Sequence, residues 1–383
     1  MKKLFLFLLL SFSITMFSQK VKDSVLSRKM DKYRDLSVSV PASYSKDSKK
    51  TYPLIVLLDG DYLFDAFEGA IKYGNYWDDL PEVIIVGLHQ NEDDERFEDC
   101  TMDATTGLPE GKGEKFFEFI GGELLPYIQS KYRVGNFKAI AGHDITAGYI
   151  NLFLYKDIPL FNAYIVLSPE LSLDMETRIP DRLSVLKQNI FYYLSSADGD
   201  IKKMKEKTAA LDSNIKTVNN EGLNYRYDEI KGASHYSLVL HSIPNALYQF
   251  FATYQPISTA EFQEKIVKLP SGYVDYLKNK YELLEKAVGI KMPIRINDFK
   301  AIEAAILKNK AYTEFEQLAQ LSSKAYPKSM LSDYHMAKYY ELTGDIKRAV
   351  KSYQNAFSME AIGDLNKEMM LNKADELRGQ LKK

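Results

Sequence analysis

The chain has 383 residues, of which 45% are hydrophobic and 27% charged, with a formal net charge of −2. That length supports more than one domain and a sizeable core, and the balanced charge offers no electrostatic footing for nucleic acid. Its one cysteine, Cys100, excludes an intramolecular disulfide and a thiolate metal cluster. The five histidines (His89, His143, His235, His241 and His335) include no pair at the spacing of a helical zinc site. No metal and no cofactor are expected.

Taken in chain order, Lys2 and Lys3 precede an apolar run from Leu4 to Leu10, and a small residue stands at Ser18. This pattern predicts a secretory signal peptide over residues 1–18, cleaved to leave Gln19 first. The mature chain is then soluble and either periplasmic or secreted. From about residue 30 to 255, short β-rich runs alternate with helical patterns. The strands are expected at Asp35 to Val40, Leu54 to Leu58, Val83 to Leu88, Lys138 to Ala141, Ala163 to Leu167, Asn189 to Ser195 and Tyr225 to Glu229. Continuous apolar runs such as Leu54-Ile55-Val56-Leu57-Leu58 suit strands buried on both faces. With helical stretches at Lys115 to Lys131 and Ala147 to Tyr155, they predict an α/β fold, a doubly wound and mostly parallel sheet.

From about 258 to 383 the pattern is helical. Ala337, Tyr340, Ala349, Tyr353 and Ala356 flank a turn at Gly344-Asp345, and Pro327 precedes Ala361 by the 34 residues of a tetratricopeptide repeat. A tetratricopeptide-like tail holding a protein or peptide partner is one reading; a generic helical hairpin is the other.

The chemically informative stretch is Ala139-Ile140-Ala141-Gly142-His143-Asp144-Ile145-Thr146-Ala147-Gly148-Tyr149. A β-run ends at Ala141 and a helical pattern starts after Asp144. A glycine at such a strand-to-helix turn relieves crowding, and the side chain at its middle is pushed out above the sheet edge. N–H groups at the new helix start could stabilise an anion there.

Around this turn stand Tyr52-Pro53 before five apolar residues and Asp59-Gly60, then Val86-Gly87-Leu88, Arg96 and Glu98-Asp99-Cys100-Thr101. Leu167-Ser168-Pro169 and Gly232-Ala233-Ser234-His235 follow. In this order they resemble the esterase family of α/β-hydrolases that includes enterochelin esterases and S-formylglutathione hydrolases. The resemblance spans roughly Asp35 to Phe251. It puts Asp144 in the nucleophile slot, His235 in the base slot and Asp198 in the acid slot, with Asp200 as the alternative acid. It puts the oxyanion hole at the Ile145 N–H plus one near Gly60 or Asp61.

Two departures matter. The family carries serine where this chain has Asp144, and Gly-Gly where it has Thr146-Ala147. A carboxylate has no proton for histidine to remove, and its attack on an ester gives an anhydride. Three readings follow. The domain is a non-catalytic binding or scaffold protein with a small ester-type ligand in its cleft. Or Asp144 attacks an sp³ carbon, as in the epoxide hydrolases and haloalkane dehalogenases that share the fold and carry Gly-x-Asp. Or an active carboxylic ester hydrolase survives through Thr146 or Ser168.

The remaining candidates have plainer readings. His143 is expected to pack or hydrogen-bond beside the nucleophile, His89 to sit in a loop, His241 on the last helix and His335 in a structural role. The acidic run Glu92-Asp93-Asp94-Glu95 reads as solvated loop charge. Tyr73, Tyr76 and Trp77 form either a stacking cluster or a helix face against the core.

Overall fold

The computed structural model describes residues 20–92 and 94–381. The expected signal peptide, residues 1–18, lies outside them. The chain divides into two compact units, Met1–Phe250 and Phe251–Lys383.

The first unit is built on an eight-stranded sheet: β1 (Lys20–Ser27), β2 (Lys32–Ser39), β3 (Tyr52–Leu57), β4 (Ile84–Leu88), β5 (Val134–His143), β6 (Ala163–Leu167), β7 (Ile190–Gly199) and β8 (Leu223–Ser234). Their spatial order is β1-β2-β4-β3-β5-β6-β7-β8. The β1–β2 and β2–β4 pairs are antiparallel and all others parallel. Every residue of β3, β4 and β6 is buried, so layers cover both faces of the central sheet, as their unbroken apolar runs require. The seven strands expected from sequence are all present. β1 is the addition. Its sequence, KVKDSVLS, carries exposed polar residues along an edge, and such a strand gives no apolar run to detect.

The helices of this unit are α1 (Gly60–Tyr76), α2 (Glu95–Asp99), α3 (Lys112–Phe119), α4 (Leu125–Lys131), α5 (Ile145–Ile150), α6 (Met175–Val185), α7 (Lys202–Ile215) and α8 (Leu238–Phe250). The stretch expected as one helix over 115–131 is broken by a π-helical turn, Ile120–Leu124, containing Gly121 and Gly122. The helix expected over 147–155 is instead α5 followed by a 3₁₀ turn, Asn151–Tyr155. Tyr73, Tyr76 and Trp77 are exposed, not packed against the core.

What matters for function is where the parallel strands stop. β3, β5, β6, β7 and β8 end at one edge of the sheet. Just past those ends lie Asp59, Asp144, Ser168, Asp200 and His235. Side chains distant in sequence are thereby gathered at the carboxyl ends of the strands, where ligands bind in open α/β sheets.

The second unit is all helical: α9 (Tyr273–Val288), α10 (Ile296–Lys308), α11 (Glu314–Ala325), α12 (Leu331–Thr343), α13 (Ile346–Ser358) and α14 (Lys367–Leu381), after short helical turns at Thr259–Glu261 and Phe262–Ile266. Leu277, Phe299, Ile302, Phe315, Ala337 and Tyr353 belong to its core. The turn between α12 and α13 falls at Gly344, which has φ +90°, and Asp345 caps α13 by accepting from the Arg348 N–H.

Candidate active site

The backbone makes the turn at a cost. Asp144 has φ +63° and ψ −121°, a region that strains any residue with a side chain, by about 1–3 kcal/mol. Its surroundings impose it. The Asp144 N–H donates to the Leu167 carbonyl at 3.0 Å, while its own carbonyl accepts from Gly148 at 3.1 Å and Glu170 at 2.9 Å. Two glycines let the chain close so tightly. A Cβ on Gly142 would lie 2.7 Å from the Thr146 backbone, and one on Gly148 would lie 1.8 Å from the Glu170 carbonyl oxygen. Gly148→Ala is therefore expected to destabilise the fold by about 3 kcal/mol through overpacking, read as a lower urea midpoint. A loss under about 0.5 kcal/mol would show that this turn yields easily.

The Asp144 side chain is half-buried and its two oxygens differ. Oδ2 accepts from Arg96 Nη1 at 3.2 Å. Oδ1 lies 4.0 Å from His235 Nε2. Arg96, on α2, is itself fixed. Its Nε donates to Asp59 Oδ1 at 2.5 Å and its Nη2 to the His143 carbonyl at 2.8 Å. Burial alone would lower the Arg96 pKa, but the ion pairs with Asp59 and Asp144 raise it, so the guanidinium stays charged. Thr146 stands where the resemblance expects a glycine. Its fully buried hydroxyl lies 2.5 Å from Asp59 Oδ2 and accepts from the His143 N–H at 2.9 Å. The substitution thus ties the turn to the end of β3.

The histidine has its support, though not from Asp198. Asp200 Oδ1 lies 2.8 Å from His235 Nδ1. Its Oδ2 accepts from the Ser168 hydroxyl at 2.6 Å, and its Oδ1 also takes the Ile201 N–H at 2.8 Å. Asp198, the acid expected from sequence, is exposed and spends its carboxylate on the Gly232 N–H at 2.9 and 3.0 Å. The reason is the length of β7. Pairing with β8 continues through Gly199, so Asp198 is still in the strand and Asp200 is the first carboxylate beyond it. Burial would raise the Asp200 pKa, but the hydrogen bonds from His235 and Ser168 outweigh it and leave it below the ordinary value of 3.8. A depressed carboxylate stabilises the fold above its unfolded pKa and ceases to as pH falls through its folded value. The stability gap between wild type and Asp200→Asn should accordingly close on acidification below pH 3.8, a trend that pH-dependent urea unfolding would show or refute.

His143 connects rather than reacts. Its Nε2 donates to the His235 carbonyl at 3.0 Å, so its Nδ1 is left to accept from the Tyr62 hydroxyl at 3.0 Å. Burial and the neighbouring His235 lower its pKa and keep it neutral. Ser168 and Thr146, the alternative hydroxyls, are both fully buried. Ser168 donates to Asp200 and Thr146 lies against Asp59, so neither is free to attack. Of the expected oxyanion donors, Ile145 opens α5 and Gly60 and Asp61 open α1, where helix N–H groups have no intrahelical acceptor. The Asp61 side chain faces elsewhere, to His89 Nδ1 at 2.6 Å and the Gln90 N–H at 2.9 Å. Among the described residues, no group of three or more His, Cys, Asp or Glu is placed to hold a metal ion.

Among solved structures, an uncharacterised protein from Capnocytophaga ochracea DSM 7271 is similar at TM-score 0.85 and 26% identity, over 94% of this chain and 100% of that one. An IroE-like serine hydrolase from Shewanella oneidensis follows at TM-score 0.60 and 21% identity, over 80% and 99%. BES protein from Bacillus cereus reaches TM-score 0.52 and 23% identity, over 61% and 94%. No curated protein matches the chain. The sequence profile of the family described as "Putative esterase" matches residues 27–229, just over half of the chain. With the sheet order and the strand-end residues above, the chain belongs to this esterase family of α/β-hydrolases.

Proposed function

We propose that this protein is an exported, non-catalytic member of the esterase family that binds an ester-type ligand over Asp144, with its helical unit holding a protein partner in a tetratricopeptide-like groove. The observation that carries the reading is the ion pair between Asp144 and Arg96. Ester hydrolysis needs a hydroxyl whose proton passes to histidine. Here the slot holds a carboxylate with one oxygen already committed to a guanidinium. A fixed carboxylate and a neighbouring histidine are suited to hydrogen-bonding a ligand and unsuited to forming an acyl intermediate. The test is a panel of aryl esters, alkyl esters and epoxides with the wild-type protein. No turnover is expected. Turnover that Asp144→Ala abolishes would overturn the reading.

One observation favours a second reading. Asp144 Oδ1 faces His235 Nε2 at 4.0 Å with Asp200 behind the imidazole. Such a frame could serve an aspartate nucleophile. Oδ1 would form a C–O bond to an epoxide carbon as the ring C–O bond breaks, the alkoxide would take a proton from a water molecule, and a second water, giving its proton to His235, would then cleave the new ester to release the diol and restore the Asp144 carboxylate. A His235→Gln variant incubated with an epoxide would accumulate the ester on Asp144, visible as a mass increase. An unchanged mass removes this reading.

A further inference from the structure

The helical unit contains a cavity of about 300 Å³ between α10 and α12, closed at one side by Leu365 and Met369. That is the lower end of ligand-sized pockets. Most of its wall is apolar, including Phe299, Leu307 and Leu331. Its polar groups are unbalanced, and the imbalance is informative.

His335 lines the cavity and is fully buried. Ser322 has one hydroxyl proton, which it donates to the Ala319 carbonyl at 3.0 Å. The Ser322 oxygen, 3.1 Å from His335 Nδ1, is therefore the acceptor, and Nδ1 carries the imidazole proton. Nε2, on the opposite edge of the ring, is then a bare acceptor, and among the described residues no group bonds to it. Burial pushes the His335 pKa down to about 3, so the ring stays neutral. A buried polar atom without a partner costs free energy that a ligand could recover.

The second acceptor is Glu303. Its carboxylate takes the Tyr334 hydroxyl at 2.6 Å. Among the described residues no cation lies within ion-pair distance of it. Lys338 and Lys300 act on it only from farther away, Lys338 sitting 5.9 Å from the Tyr334 ring. The cation in the wall, Lys300, is paired with Asp364 at 2.6 Å. With Lys300 turned to Asp364, the Glu303 carboxylate and His335 Nε2 are the two acceptors of the cavity wall that are left without a cationic partner at bonding distance among the described residues.

We propose that this cavity binds a primary alkylammonium group, its apolar stem against Phe299, Leu307 and Leu331 and its ammonium shared between Glu303 and His335 Nε2. An ammonium carries three donors and no acceptor, which suits these two acceptors. A lysine side chain of a peptide and a free amine share this chemistry.

The test is calorimetric titration of the full-length protein at neutral pH with n-pentylamine, with 1-pentanol as the uncharged match, and with a capped Ala-Lys-Ala peptide. Saturable binding of the amine is expected, weakened about tenfold or more by Glu303→Gln, as loss of a charge-assisted hydrogen bond implies. Peptide binding as tight as amine binding assigns the ligand to a lysine side chain; binding of the amine alone assigns it to a free amine. The proposal falls if the amine does not bind, if the alcohol binds equally well, or if Glu303→Gln leaves amine affinity unchanged while its circular dichroism matches wild type. Because Glu303 is half-buried at the cavity wall, that variant disturbs the fold less than any change at His335.

Discussion

Asp144→Ser is expected to hydrolyse p-nitrophenyl acetate roughly a thousandfold faster than the wild-type protein, on the scale that a complete nucleophile, base and acid contribute to such chemistry. The expectation rests on what the site retains. The turn keeps its strained φ, and the His235 imidazole keeps Asp200 at 2.8 Å and Ser168 at 3.0 Å. A serine hydroxyl is shorter than a carboxylate and would release Arg96 Nη1 to solvent, leaving Nε on Asp59. Adding Asp200→Asn should return the rate to near background, because histidine would lose the carboxylate that orients it. Adding Asp198→Asn should leave it within about twofold, since that carboxylate is turned to the Gly232 N–H and away from the histidine. Steady-state kinetics on the three variants check all of this. No gain in Asp144→Ser would mean that Thr146 and Arg96 have closed the space an oxyanion needs. Equal loss from both carboxylate changes would refute the assignment of Asp200.

The largest stability effect is expected away from the chemistry. Arg34, on β2, is 1% exposed and grips Asp99, also 1% exposed, through Nη1 at 3.0 Å and Nη2 at 2.7 Å. Its guanidinium lies 5.2 Å from the centroid of the Phe116 ring. Arg34→Ala leaves Asp99 charged and buried without its partner, so it should cost about 3–5 kcal/mol in urea unfolding. The double change Arg34→Met with Asp99→Leu removes both charges and should recover part of that loss, the buried Gln90 amide being left without its acceptor. A cost under about 1 kcal/mol for the single variant would show that water reaches Asp99. The effect also bears on the site. Gln90 Nε2 donates to Asp99 Oδ2 at 2.9 Å, and its Oε1 accepts the Asp59 N–H at 3.1 Å. Loss of Arg34 therefore loosens the backbone that sets Asp59, and with it Arg96.

Much of the fold was legible because buried parallel strands leave unbroken apolar runs such as Leu54 to Leu58. β1 was not, because an exposed edge strand has no reason to be apolar. The turn at Asp144 and the histidine at 235 could be placed from glycine spacing and motif order. Asp198 could not be told from Asp200, since the choice depends on how far β7 pairs with β8, a fact of register and not of composition. The Arg96–Asp144 pair was also invisible. Arg96 stood out as a family marker, but nothing local to it says that α2 carries it over the end of β5. Thr146 looked like simple crowding. Its hydrogen bonding with Asp59 appears only when β3 and β5 are seen side by side.

The division of the chain also bears on how it folds. In the first unit, β4 inserts between β2 and β3, and β3 pairs with β5 only after α1 to α4 have intervened. Such pairings close long loops before they gain contacts, which slows folding. In the second unit, α11 packs on α12, α12 on α13 and α13 on α14, so nearly every contact is between sequence neighbours. The helical unit, though synthesised after the first, therefore has the shorter route to its native state. Refolding from urea should show helix forming ahead of the sheet, reversing the order in which the two units leave the ribosome.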